Sequence, residues 1–359
     1  MDKRKNILIS PLNWGLGHAS RLIPIIKYLK ESEHNIIIGG SGASIDILQK
    51  RFPDLKYVYI SSPTLIYGKR KSFSTIFYLS FIKFAINVFR EHFVLKKLIS
   101  QNNIDIVISD NRLGLYNKKI KSIYVSHQLN IYLTTGQKNK SFLATYAHRN
   151  YIKKYDHCWI PDIKSSEMSL TGRLTENAND LKVEFLGPVS RFEKQSFFDI
   201  SEAIYDFICI LSGPEPQRTM FERILIDIFS NSAYNVVILR GLPDCSEKLA
   251  DTANIKFLNH SDDEELINHI NVSRRIICRS GYSTIMDLVN IGRRAILVST
   301  PEQPEQEYLA SRLSLKHGFV KINQNDLKNT DFTSIKYDEL WNFGNDLDNI
   351  GKIIDSHIG

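Results

Sequence analysis

The sequence predicts an α/β protein of two doubly wound parallel-sheet domains. Short apolar runs of the buried-strand kind alternate with segments of helical spacing, that alternation occurs twice, and a Gly-Pro pair separates the two rounds. In the first round the strands are read at Asn6–Ile9, Asn35–Ile38, Tyr57–Ile60, Ile104–Ile108, Ser122–Val125 and His157–Ile160. Between the first two lies the cleanest helix, with Leu22, Ile25, Ile26 and Leu29 on one face. Strand followed by helix followed by strand requires a crossover, so the sheet is parallel and covered on both faces.

The second round follows Phe185 to Arg191, and its strands are read at Phe207–Leu211, Asn235–Leu239, Ile255–Leu258, Arg275–Cys278 and Ala295–Val298. Asn345 to Ile358 has helical spacing. The expected organisation is therefore a first domain over 1–185, a second over 186–344, and a C-terminal helix over 345–359 that packs back on the first. Ligands of open parallel sheets bind beyond the carboxyl ends of the strands, which places the expected site in a cleft between two facing domains.

Composition excludes several classes. At 359 residues, 43% hydrophobic and 24% charged, the chain has the make-up of a globular protein with two ordinary cores. Cys158, Cys209, Cys245 and Cys278 are scattered without a Cys-x-x-Cys pair, so reduced structural thiols are expected, not zinc or redox chemistry. No secretory h-region follows Met1, and a cytoplasmic location is expected. The net charge of +7 asks for an anionic partner, yet the basic residues are dispersed and no nucleic-acid module is present. Lys69-Arg70-Lys71 precedes a broadly apolar stretch from Phe73 to Phe89, which reads either as an internal helix of the first domain or as a helix facing an anionic membrane from the cytoplasmic side.

The segment Arg279-Ser280-Gly281-Tyr282-Ser283-Thr284 reads as the end of a strand, a Gly turn and the start of a helix whose apolar face carries Ile285, Leu288 and Val289. The first N–H groups of a helix lack internal partners and the macrodipole adds positive potential, so a diphosphate is expected at Gly281 to Thr284. Ser212-Gly213, after another strand, offers a hydroxyl and backbone donors, although Pro214 and Pro216 remove two N–H groups. In the first domain, His18 follows Gly15 and Gly17 at a strand-to-helix turn. It suits a general base, with Asp110 orienting the ring and stabilising its protonated form. Alternatively His18 caps the helix or binds a phosphate, and Asp110 pairs with Arg112.

The order of these motifs resembles the GT-B glycosyltransferases, and within them the MurG-like N-acetylglucosaminyltransferases of glycosyltransferase family 28. The resemblance rests on Gly15-Leu16-Gly17-His18, on His127-Gln128-Leu129-Asn130, on Gly187 to Arg191, and on Arg279 to Asp287 with Gln306. It implies two Rossmann-like domains, a uridine-diphosphate sugar as co-substrate, no metal or other cofactor, and inverting transfer to a hydroxyl of a glycan or lipid-linked acceptor. It also implies an acceptor wall at Gly15, Gly17, His127, Gln128 and Asn130, with Gln128 standing where the family has a carboxylate. On the donor side it implies Arg191 at the diphosphate, Asp287 at the ribose in place of a Glu, and Gln306 at the donor sugar, beside Ser212, Gly213, Ser280, Gly281, Ser283 and Thr284. Arg279 is expected to tether the loop under the phosphates. The single Asp-x-Asp triplet, Asp346-Leu347-Asp348, falls in the C-terminal helix and reads as a solvated face. Two other classes fit the pattern less well: a non-hydrolysing uridine-diphosphate N-acetylglucosamine 2-epimerase, which needs several carboxylates around the sugar, and a non-catalytic sugar-nucleotide binder.

Overall fold

The computed structural model describes residues 4–62, 73–132, 138–165, 167–193, 202–243, 245–336 and 350–359, and of residues 73–84, 138 and 139 it describes the backbone alone. Lys69-Arg70-Lys71 and Asp346-Leu347-Asp348 lie outside the described residues. The chain divides into two compact units: Met1–Ile131, Gln137–Val189 and Asp346–Gly359 form one, and Tyr132–Gly136 with Ser190–Asn345 form the other.

The first unit holds a seven-stranded sheet in the order β3-β2-β1-β4-β5-β6-β7, every pairing parallel. Its strands are β1 (Asn6–Pro11), β2 (Asn35–Gly40), β3 (Lys56–Tyr59), β4 (Ile106–Asp110), β5 (Lys121–Val125), β6 (His157–Ile160) and β7 (Val183–Phe185). Ile-rich runs without alternation suit strands buried on both faces. One face packs Ile7, Ile9, Ile106, Ile108, Ile123 and Val125 against Leu22, Ile25, Ile26 and Leu29 of α1 (Gly17–Glu31). The other packs Leu8, Ile37 and Val107 against Leu95 and Leu98 of α3 (Phe73–Asn102). The helix α9 (Ile350–Ile358) adds Ile354 and Ile358 to the first of these cores, and Trp159 Nε1 donates to His357 Nδ1 at 2.9 Å.

The second unit repeats the plan with six parallel strands in the order β10-β9-β8-β11-β12-β13. They are β8 (Tyr205–Ile210), β9 (Val236–Leu239), β10 (Ile255–Leu258), β11 (Ser273–Cys278), β12 (Ile296–Leu297) and β13 (Val320–Lys321). Phe207, Phe221 and Phe229 anchor the core between β8 and α5 (Gln217–Ser230).

Each strand expected from the sequence is present, His157–Ile160 and Ile255–Leu258 with the ends as read and the others with shifted ends. The fourth runs from Ile106 to Asp110, two residues later than read, so Asp110 is the last strand residue. β7 and β13 were not expected. They are three and two residues long, too short to carry a periodicity, and exist by pairing with β6 and β12. Phe185, read as the start of the linker, ends β7.

Ile354 is 1% exposed in the core of the first unit. Truncating Ile354→Ala should cost about 2–5 kcal/mol, as other buried aliphatic truncations do. Urea unfolding of the purified protein measures it, and a transition that does not move would mean that α9 contributes nothing to this core.

Candidate functional site

Both sheets reverse their strand order once, and such a reversal opens a crevice at the carboxyl edge. In the first unit the reversal lies between β1 and β4, whose following residues are the loop with Gly15 to His18 and the segment after Asp110. In the second it lies between β8 and β11, which lead into Ser212-Gly213 and Arg279 to Thr284. The residues singled out from the sequence thus gather at two switch points, one in each unit.

In the first unit a carboxylate, a guanidinium and two imidazoles meet. Asp110 is fully buried at the end of β4, beside Pro11 of β1 in the register. His18, on the first turn of α1, lies with Nδ1 2.7 Å from Asp110 Oδ1. Its side chain is 12% exposed, and it makes no capping bond to the helix start. Arg21, one turn further on, is 3% exposed. It donates from Nε to Asp110 Oδ2 at 2.5 Å and from Nη2 to Oδ1, and Nη1 lies 2.7 Å from His127 Nδ1. Arg21 Nη2 also stands 2.6 Å from His18 Nδ1.

Electrostatics follow from these contacts. Burial alone would raise the Asp110 pKa, but Arg21 and His18 overcome it and hold the carboxyl at about 2. Burial lowers the His18 pKa, the Arg21 charge lowers it further, and Asp110 opposes both. At neutral pH the site therefore presents an ionised Asp110, a charged Arg21 and a neutral imidazole at His18, which is the form a general base needs.

The rest of the expected acceptor wall divides. Gly15 holds φ +100° with no heavy atom within 4 Å of where a Cβ would stand, so the turn requires glycine and leaves open space beside His18. Gly17 begins α1. Gln128 is half-buried with its backbone N–H on Ser126 Oγ. Asn130 donates from its amide nitrogen to Arg173 O at 2.7 Å and Glu176 O at 3.0 Å, tying a loop in place. Arg112, the expected alternative partner of Asp110, instead pairs with buried Glu91 at 3.0 Å. Burial raises the Glu91 pKa against the opposing pull of Arg112.

In the second unit β11 delivers Arg279 and Ser280 to the switch point, and Gly281 is the N-cap of α7 (Tyr282–Asn290). A Cβ on Gly281 would meet nothing nearer than Thr284 Oγ1 at 3.9 Å, and its φ is −72°, so neither packing nor backbone demands glycine there. What the glycine leaves is room over the first N–H groups of the helix. Gly213, at φ +101°, likewise has open space around it after half-buried Ser212. Arg279 is 1% exposed and lies 4.0 Å from the Phe221 ring centre. It donates to the carbonyls of Val298, Ser299 and Gln217 and to Gln324 Oε1, and burial brings its pKa down to about 10. It is a tether for three loops.

Asp287, on α7, accepts from Ser190 Oγ at 2.7 Å and Arg191 Nε at 3.1 Å, and burial raises its pKa against these partners. Arg191 reaches Asp263 as well, at 3.0 Å. Gln306 is buried in α8 (Pro304–Lys316), where its Oε1 accepts from Thr300 N at 2.9 Å while its carbonyl accepts from Ser280 Oγ. The side chain therefore shapes the 299–306 loop from within. Ser283 and Thr284 are half-buried on the first turn of α7.

Three groups escaped the sequence reading. Arg21 carried one signal, its spacing of three from His18 on the same helix face. Ser190 sits in the linker as an ordinary small residue until its hydroxyl meets Asp287. Thr300 Oγ1 is buried without a partner among the described residues, and nothing in the sequence marks it.

Comparison with known proteins agrees with this architecture. Residues 216–335 match the glycosyltransferase family 28 C-terminal domain. A protein of Methanosarcina mazei named as an uncharacterized glycosyltransferase is 23% identical over 323 residues, 84% of this chain and 81% of its own. Among solved structures, the calicheamicin glycosyltransferase is similar at TM-score 0.62 and 12% identity, over 90% of this chain and 87% of its own. The spinosyn rhamnosyltransferase complexed with thymidine diphosphate is similar at TM-score 0.57 and 13% identity, over 90% of each chain. A protein of Listeria monocytogenes described as a UDP-N-acetylglucosamine 2-epimerase is similar at TM-score 0.51 and 14% identity, over 91% of this chain and 87% of its own. At such identities the structures speak for the GT-B fold alone. The family 28 match adds the activity class, glycosyl transfer.

The depressed Asp110 pKa has a consequence for acid stability. A carboxylate held at about 2 in the folded chain, against 3.8 ordinarily, stabilises the fold above pH 4 and loses that contribution as pH falls through 2. At about 1.4 kcal/mol per unit, roughly 2 kcal/mol is involved. The stability difference between the wild type and Asp110→Asn should therefore narrow by about that amount on acidification from pH 5 towards 2. Urea unfolding across that range reads it; a constant difference would contradict the assigned charge state.

Proposed function

We propose that this glycosyltransferase of the GT-B fold moves a hexose or N-acetylhexosamine from a uridine-diphosphate sugar to a hydroxyl of a glycan or lipid-linked acceptor, with inversion and without a metal. The observation that carries the reading is the His18 imidazole held with Nδ1 2.7 Å from Oδ1 of the buried Asp110 carboxylate. His18 Nε2 takes the proton of the acceptor hydroxyl as its oxygen attacks the anomeric carbon. The bond from that carbon to the diphosphate oxygen breaks on the opposite side, and the diphosphate leaves with the electron pair. Asp110 holds the ring and offsets the imidazolium charge that forms.

Within the second unit, the same reading assigns the diphosphate to the α7 N-terminus. That terminus, over which Gly281 leaves room, acts on the diphosphate where charge develops. Arg191, held by Asp287 and Asp263, supplies a cation to the same group. Asp287 accepts from the Ser190 hydroxyl and from Arg191, and we assign its remaining acceptor capacity to a ribose diol. Ser212 and Gly213 complete the donor side, and Arg279 and Gln306 hold the loops that carry these groups.

A second observation bears on the acceptor. Ile86, Phe89 and Phe93 are 48%, 70% and 58% exposed on one face of α3, and Arg90, Lys96 and Lys97 are exposed beside them. Phe142, Leu143 and Tyr146 are 72%, 64% and 62% exposed on α4 (Lys138–Ile152). No helix among the described residues is long and apolar enough to cross a membrane. Exposed aromatic side chains among cations suit the surface of an anionic bilayer, so we assign the protein to the cytoplasmic face of a membrane, where a lipid-linked acceptor would be met.

Thermal-shift measurements with uridine, guanosine, thymidine and adenosine diphosphates, with and without chelator, test the donor. Stabilisation by the uridine compound that survives chelator supports the reading, and no stabilisation by any of them overturns it. His18→Ala should lower kcat by about 10² to 10⁴ with nucleotide affinity unchanged; parallel loss of both would make His18 a binding residue. Phe89→Ser with Phe93→Ser should weaken sedimentation with phosphatidylglycerol vesicles, and undiminished binding would remove the membrane assignment.

A further inference from the structure

Arg21 is used by none of the steps above, yet it touches every ionisable group around His18. We propose that Arg21 is a positioning residue that sets His18 and His127 in opposite tautomers, so that one imidazole presents a base and the other a donor. The inference rests on the reading of His18 as the base and adds what keeps it one.

The argument starts from the guanidinium, which has five N–H donors and no acceptor. Its Nη1 lies 2.7 Å from His127 Nδ1, and a bond there requires the lone pair to be on Nδ1. The His127 proton is then on Nε2, so His127 offers N–H. His18 receives the opposite instruction. Its Nδ1 lies 2.7 Å from Asp110 Oδ1 and 2.6 Å from Arg21 Nη2, a carboxylate acceptor and a guanidinium donor, and it can bond only one of them. Arg21 already donates Nε and Nη2 to the two oxygens of Asp110, and Oδ1 keeps a second lone pair. Either bond would be charge-assisted, but Nη2 is already engaged on Oδ1, so Nδ1–H donates to Oδ1 and the lone pair of His18 is left on Nε2.

Charge points the same way. The groups facing His18 are Arg21 from its own helix, Asp110 from the end of β4 and His127 from the segment after β5. Arg21 cancels the Asp110 charge at close range, so protonating His18 would leave a buried cluster with net positive charge. Its position on the first turn of α1, at the positive end of the helix, adds to this. An Asp–His pair without the arginine would stabilise an imidazolium and fill the base with a proton. With the arginine, the imidazole stays empty until the acceptor hydroxyl supplies one.

Nitrogen-15 NMR of histidine-labelled protein tests this without any substrate. In the wild type, His127 should show a pyridine-type Nδ1 and a pyrrole-type Nε2, while His18 shows the reverse. The same tautomer at both residues, or Nε2–H at His18, would overturn the proposal whatever any variant does. In Arg21→Gln, folded by circular dichroism, the His18 titration midpoint should rise by about one unit or more. Arg21→Lys, which restores charge but not the fork, should lower that midpoint again while leaving His127 without a fixed tautomer. An unchanged midpoint in folded Arg21→Gln would equally contradict the proposal. Failure of glycosyl transfer itself is read separately, from turnover, and leaves these spectra interpretable.

Discussion

One buried carboxylate organises the first unit's site. Asp110 ends the central strand β4 with no solvent exposure, and an isolated carboxylate there would not stay ionised. It does so because Arg21 binds it through two donors and His18 through a third. That requirement fixes the first turn and a half of α1 against the sheet edge, and with it the direction of the His18 ring. Removing any one of the three leaves the others with an unpaid desolvation cost. Arg21, which helps keep the carboxylate charged, also works with burial to keep the imidazole neutral against the pull of Asp110, so folding and protonation state are two results of one arrangement.

The second unit solves a related problem with a buried cation. Arg279 spreads its charge over three carbonyls, a glutamine oxygen and the face of Phe221. Those acceptors belong to loops after different strands, and one side chain therefore gathers them beneath the α7 N-terminus. The first unit places ionisable groups at its switch point, whereas the second places backbone donors and open space at Gly213 and Gly281. This division suits a reaction in which one partner loses a proton and the other departs as an anion.

The strands were legible because both sheets are parallel and covered on two faces, which yields continuous runs of Ile, Val and Leu between Gly and Asn turns. β7 and β13 were not, since a strand of three or two residues is defined by its neighbour and not by its own sequence. His18 and Asp110 were legible from position, His18 at the start of the helix after β1 and Asp110 at the carboxyl end of β4. Arg21 was hidden by its company: it sits beside Leu22 in a helix read only for its apolar face, and only the fold turns it inward. Asn130 was legible as a polar position, but a motif carries no information on which polar atoms are engaged, and its amide N–H groups go to backbone carbonyls. Gln306 likewise has its side-chain oxygen on Thr300 N.

The most direct measurement of the central claim is proton NMR of the product formed from a carbon-13-labelled uridine-diphosphate sugar and a membrane-derived acceptor mixture. The account predicts release of uridine diphosphate and a new glycoside whose anomeric configuration is opposite to that of the donor. Retention at the anomeric carbon, a nucleotide sugar altered only at C2, or an intact donor left beside a folded, nucleotide-binding protein would each contradict it.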